Sequence, residues 1–346
     1  MSRAKNYRKF LVWVIYSIVI LSIVITLIYK GRKSADEIDK PIYLWSKRVF
    51  DVSDYNLLGT EHISKPDVIA DQIKSHKEVV WIRNTSSNSG KLTDLDYFGE
   101  LLDLIEEPVI LVTSDGDRDV PSSYDPNLVQ RILSSPKIKK WYTQNYDRSI
   151  IHPKLGYYPI GLDMHYSLQD KDPKKSFGIS GLFESSAELR IKKFNYYLAT
   201  RDKYQNSKKN KIFCDSHLST THPRRKEMFE ILKNNPLIEF QNTRVHYSDI
   251  IEKYAQYRFI LSPRGNGLDC HRTWEVLLLG SIVITESSSL DDMFIKNDLP
   301  VIILKDFNEL NNITEEQLEK WYNENKHKTD RAKILQKFDP KYWIEQ

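Results

Sequence analysis

Residues 257–285 read YRFILSPRGNGLDCHRTWEVLLLGSIVIT, and this stretch sets the expectation for the fold. An apolar strand, Phe259-Ile260-Leu261, ends in Ser262-Pro263 and gives way to the loop Arg264-Gly265-Asn266-Gly267. Asp269 stands where it would cap the next helix. That helix carries Trp274, Leu277 and Leu278 at helical spacing, stops at Gly280 and returns at once to a second strand, Ile282-Val283-Ile284. Strand, helix and strand at this length make a compact right-handed βαβ unit. Ligands of open α/β sheets bind outside the carboxyl ends of the strands, where this loop and helix N-terminus sit.

The chemistry of the loop fits an anion. Gly265 and Gly267 have no side chain to block a close approach. The amides and positive end of the helix dipole point the same way. Arg264 and Arg272 add planar cationic forks suited to phosphate. Glu275 lies three residues after Arg272, so both project from one helix face, where a carboxylate can accept from sugar hydroxyls. The competing reading is a plain surface ion pair between Arg272 and Glu275. The glycine spacing matches neither the dinucleotide fingerprint nor a phosphate-binding loop with Gly-Lys-Ser/Thr.

Outward from this unit the pattern repeats. Toward the C-terminus come a helix at 290–294, a strand at 301–304 and further helices. Toward the N-terminus come a strand at 211–214, helix 224–233, strand 237–241 and helix 247–255. Earlier still, strands are expected at 78–83, 108–113, 139–143 and 157–163, with helices at 92–105, 127–133 and 187–198. The chain has 346 residues, 40% hydrophobic and 28% charged, which suits a folded core and exceeds one ordinary domain. We place an N-terminal α/β lobe at 41–200 and a C-terminal α/β lobe at 201–346, two Rossmann-like lobes with parallel sheets. The boundary is set near 200, in a charged run.

Residues 10–29, FLVWVIYSIVILSIVITLIY, carry no charge. About 20 residues at 1.5 Å rise span a hydrocarbon core, and Trp13, Tyr16 and Tyr29 suit the interfaces. The run is too long for a signal peptide, and no small-residue cleavage site follows it. The expectation is a transmembrane signal-anchor helix with a cytoplasmic tail at 1–9 and a short stem at 30–40. The slight excess of positive charge ahead of the helix favours a cytoplasmic N-terminus. The net charge of +4 gives no mandate for nucleic acid. Two cysteines, Cys214 and Cys270, cannot build a disulfide framework. Asn84-Thr85-Ser86 and Asn312-Ile313-Thr314 are N-glycosylation sequons if the domain is luminal.

The run from Ser262 to Arg272, with Trp274-Glu275 and 280–284, resembles the donor-site motif of exostosin-like glycosyltransferases. It is similar in outline to ribitol xylosyltransferase and to the nucleotide-binding helix of fucosyltransferases. Val283 departs from the proline common there. The resemblance implies a GT-B fold, with a nucleotide-sugar donor held by the C-terminal lobe and a glycan or glycoconjugate acceptor by the N-terminal lobe. It implies Arg272 at the diphosphate and Glu275 at the ribose, with no cofactor required. A type II anchor is usual for such enzymes, placing the catalytic part in a Golgi- or ER-type lumen in a eukaryote. A non-catalytic sugar-binding or scaffold protein of the same fold is the alternative.

Weaker candidates lie elsewhere. Asp115-Gly116-Asp117 follows a strand, as a metal-binding Asp-x-Asp does, although Asp and Gly also dominate ordinary turns. Asp163 and His165 follow another strand and could serve as the base on the acceptor side. Arg224 or Arg225 could reach the donor phosphates, one of them being left to solvent.

Overall fold

The structure, a computed structural model, describes residues 43–46, 66–75, 78–84, 92–164 and 186–345, together with Trp13 and Val19. Almost all of the anchor expected at 10–29, and His165, lie outside the described residues. Among the described residues no helix is long and apolar enough to cross a membrane.

The N-terminal lobe begins with α1 (Pro66–Ser75), then β1 (Val79–Arg83), α2 (Asp94–Glu100), β2 (Val109–Ser114), α3 (Pro126–Ser134), β3 (Ile138–Thr143) and β4 (Leu155–Tyr157). All four strands are parallel, in the order β1-β2-β3-β4. Alternation sorts the side chains: Val80, Ile82 and Leu111 pack under α2 and α3, whereas Val79, Trp81 and Val112 face the opposite core. The helix expected at 92–105 is two pieces, α2 and a 3-10 turn at Leu102–Leu104. The strand expected at 157–163 ends at Tyr157, and Leu162 makes only an isolated bridge to Trp45. The strand order never reverses in this lobe, so it departs from the Rossmann-like pattern among its described strands.

The long α4 (Ser186–Tyr204) follows, then β5 (Lys209–Cys214), α5 (Pro223–Leu232), β6 (Ile238–Phe240), α6 (Tyr247–Ala255), β7 (Tyr257–Leu261), α7 (His271–Leu278), β8 (Ile282–Glu286), α8 (Asp291–Lys296), β9 (Val301–Leu304), α9 (Glu315–Asn325), α10 (Arg331–Lys337) and α11 (Pro340–Ile344). The five strands are parallel in the order β6-β5-β7-β8-β9. Met228 and Leu232 of α5 and Leu318 of α9 bury one sheet face, and α6, α7 and α8 bury the other. This is a doubly wound sheet whose chain direction reverses between β5 and β7.

The lobe boundary expected at 200/201 falls inside α4. Charged residues at 201–203 read as a linker, but Arg201 is buried and donates to Leu278 O at 3.0 Å. The helix packs against α6 and α7 and belongs with the C-terminal lobe. The chain end braces α7: Trp343 and Phe338 meet Trp274 edge-on at 5.6 and 6.1 Å.

Candidate functional site

A cleft of about 500 Å³ opens where β5 and β7 diverge. The C-terminal lobe supplies Asp215, Arg225, Tyr247, Tyr254, residues 265–267 and 269–272, and Glu275; the N-terminal lobe supplies Asp117, Ile160 and Asp163. The crossover direction reverses at this point, which leaves the carboxyl ends of two adjacent strands uncovered.

Arg272 sits in the first turn of α7. Its Nε donates to Asp215 Oδ1 at 3.0 Å and to Tyr254 OH at 2.9 Å, and Tyr254 OH donates to the same carboxylate oxygen at 2.9 Å. Neither Nη has a protein partner among the described residues. Burial works against the charge, but Asp215 and Tyr254 outweigh it and hold the guanidinium pKa well above its ordinary value. Arg225, also buried, donates from Nε to Arg264 O at 2.9 Å. Burial and then the Arg272 charge push its pKa down. Two guanidinium groups are thus held together against their repulsion, and an anion between them would relieve it. The N-cap of α7 is Cys270, without a side-chain cap bond; Thr273 N donates to Cys270 O at 3.0 Å, which leaves the amides of His271 and Arg272 to a ligand.

Glu275 faces the same cleft one turn on, and it does not pair with Arg272. Tyr197 OH donates to its Oε1 at 3.0 Å, and Tyr247 OH makes a short bond to the same atom. Burial raises its pKa first and the charge of Asp163 second, with Lys193 opposing. Asp163, across the cleft, lies near both.

Asp269 is not the helix cap. Its carboxylate turns across the cleft to accept from Ile160 N at 2.7 Å and from Trp274 Nε1 at 2.9 Å. Asn145 Oδ1 accepts from Asp269 N at 2.8 Å, and His271 Nδ1 lies 2.9 Å from Gly161 O. The lobes are therefore clasped at the mouth of the site. Gly267 is close-packed in this clasp: a Cβ there would lie 2.7 Å from Asn145 Nδ2. Asn145 is pinned by Gly116 O and Asp269 N and has little room to yield. Gly267→Ala should lower stability by about 1–3 kcal/mol, read as an earlier denaturation midpoint in urea. An unchanged midpoint would show that the clasp yields freely. Gly265 is close-packed too, with a Cβ position 3.0 Å from Arg225 Nη2, so both glycines make room for protein groups.

Of the expected residues, Gly265, Asn266, Gly267, Arg272, Glu275, Asp117 and Asp163 line the cleft. Arg264 does not: it reaches toward Asp119 of the other lobe, 3.9 Å away. Arg224 turns away and is taken up by Glu286, Glu227 and Asp306, so its neighbour Arg225 is the cleft residue. Asp115 is buried, ion-paired with Arg83 at 2.9 Å and bonded by Ser46 at 2.9 Å, so it cannot converge with Asp117 on a metal. Among the described residues no cluster of His, Cys, Asp and Glu is arranged to hold a metal ion. Asn84 is fully buried, with its amide donating to Arg118 O at 2.9 Å, which leaves no room for a glycan. Asn312 is exposed in a turn. Cys214 and Cys270 are both free thiols. Sequence reasoning missed Asp215, Tyr247, Tyr254, Tyr197 and Lys193; only Asp215 had a signal, as the residue directly after the lobe's first strand.

No protein-family profile matches the chain, and no curated protein does. Its fold is similar to that of the α,α-trehalose 6-phosphate synthase from Burkholderia multivorans, at 10% identity and a TM-score of 0.43, over 81% of this chain and 73% of that one. A trehalose-6-phosphate structure from E. coli bound with UDP-2-fluoro glucose aligns at 10% identity and a TM-score of 0.40, over 81% and 75% of the two chains. WaaG, a glycosyltransferase involved in lipopolysaccharide biosynthesis, aligns at 13% identity and a TM-score of 0.36, over 80% and 94%.

Proposed function

We propose that this chain is a GT-B-type glycosyltransferase that moves a sugar from a nucleotide-sugar donor to a hydroxyl of a glycan, glycoprotein or glycolipid. The observation that carries the reading is the state of Arg272. Its Nε is fixed by Asp215 and Tyr254, while its Nη edge has no partner among the described residues, in a cleft shared with the repelled Arg225. That arrangement suits a forked bond to a diphosphate.

In the transfer, the bond from the sugar C1 to the β-phosphate oxygen breaks, and its electron pair leaves on the phosphate. A new bond forms from C1 to the acceptor oxygen. Arg272, Arg225 and the α7 amides stabilise the charge that develops on the departing diphosphate. Glu275 Oε2, which neither tyrosine uses, accepts from the ribose. Asp163, on the N-terminal side of the cleft, takes the acceptor's proton. Charge neutralisation thus falls to guanidinium groups, and no metal ion is assigned a role. The apolar run 10–29 would hold the catalytic part close to membrane-borne acceptors.

A hydrolysis screen of the full chain in detergent over a panel of nucleotide sugars tests this reading. One donor should release its nucleoside diphosphate, at a rate that chelation leaves unchanged. Binding without turnover of any donor or acceptor would favour the sugar-binding alternative. Collapse on chelation would transfer the charge-neutralising role to a cation.

A further inference from the structure

Lys193 is only 2% exposed, on α4 one turn before Tyr197. Its Nζ lies 4.0 Å from the centroid of the Tyr247 ring. Tyr197 and Tyr247 are the two tyrosines whose hydroxyls bond Glu275. Burial pushes the Lys193 pKa down, and the charges that oppose this and favour the ammonium are Asp163 and Glu275, one carboxylate from each side of the cleft. A methionine would fill the same space without the cost of burying an ammonium, so the charge serves its neighbours.

We propose that Lys193 is a positioning residue of this cleft, whose buried ammonium keeps Glu275 and Asp163 ionised side by side. Two carboxylates in one desolvated site cannot both hold their charge unaided, because each favours protonation of the other. Protonation of Glu275 would turn an acceptor into a donor and remove the group that meets a sugar hydroxyl. The groups facing Glu275 are Lys193 and Tyr197 from α4, Tyr247 and Tyr254 from α6, His271 on its own helix and Asp163 from the opposite lobe. Lys193 is the lysine among them. The consequence for donor binding rests on the function proposed above; the electrostatic content does not.

Carboxyl carbon NMR of the full chain in detergent, with labelled glutamate and the Glu275 signal assigned by its loss in Glu275→Gln, follows the titration directly. Lys193→Met should raise the Glu275 midpoint by about one pH unit or more, and Lys193→Arg should leave it near the wild-type value. An unmoved midpoint in Lys193→Met overturns the proposal, as does an equal rise in Lys193→Arg. If Lys193→Met does not fold, Asp163→Asn tests it from the other side. With one carboxylate gone the ammonium serves Glu275 alone and the midpoint must fall; a midpoint that stays put overturns the proposal. Titration with uridine or guanosine diphosphate gives a second readout. Lys193→Met should lose more affinity at pH 6 than at pH 8 relative to wild type, and an equal loss at both would count against it. If neither nucleotide binds any variant, the donor-site reading fails while the NMR midpoint still decides the role of Lys193.

Discussion

Arg272→Ala should bind its nucleoside diphosphate at least about 100-fold more weakly than the wild-type chain, or fail to bind it. Two charge-assisted bonds from the Nη edge, each worth about 1.5–3 kcal/mol, account for a loss of that size. The variant also leaves Asp215, which is 17% exposed in its side chain, with only the Tyr254 hydroxyl and no cationic partner in the cleft. Its repulsion of an anionic ligand adds to the loss. Arg272→Lys separates the two effects. It keeps a charge for Asp215 but cannot both bind Asp215 and fork onto a phosphate, so most of the affinity should still be lost. Recovery of near wild-type affinity in Arg272→Lys would mean that charge alone is needed. Circular dichroism on both variants checks that the fold persists.

Asp269→Ala should cost about 2–5 kcal/mol of unfolding free energy, a large share of the 5–15 kcal/mol typical of a folded protein. The carboxylate serves two buried donors from different parts of the chain, Ile160 N and Trp274 Nε1, and alanine leaves both unmet. Urea unfolding measures it; a loss under about 1 kcal/mol would show that water replaces the carboxylate. The same residue gives a pH signature. Burial raises its pKa to about 6, against the lowering effect of its bonds from Ile160 and Trp274. The folded state therefore keeps a proton that the unfolded chain has released across the interval from about 4 to 6. This group's contribution is full below the unfolded value and is lost as pH rises through 6. Asp269→Asn, which cannot ionise, should flatten the fall in stability over that interval.

The alternation of strand and helix was legible because buried parallel strands are short apolar runs, as in 109–112 and 282–284, and such runs carry their own signal. The strand-order reversal at β5 and β7 was not, because order depends on which faces the intervening helices cover. The cleft was half legible. Arg272 and Glu275 share a helix face by their spacing, so local geometry reveals them. Their partners do not: Asp215 lies 57 residues from Arg272, and Tyr197 lies 78 from Glu275. Arg224 and Arg225 are neighbours about 100° apart on one helix, and only packing decides that Arg224 meets Glu286 while Arg225 meets the cleft. Lys193 lies on the helix expected at 187–198 but carried no signal, because burial of an ammonium leaves no mark in the sequence. Asn84 read as a sequon for the same reason.

Calorimetric titration of uridine, guanosine, cytidine and adenosine diphosphates into the full chain in detergent tests the central claim most directly. Saturable one-to-one binding of at least one of them, abolished in Arg272→Ala and weakened in Arg225→Ala with Arg224→Ala unaffected, is the expected result. No binding of any nucleoside diphosphate, or binding that survives the loss of Arg272, would contradict it.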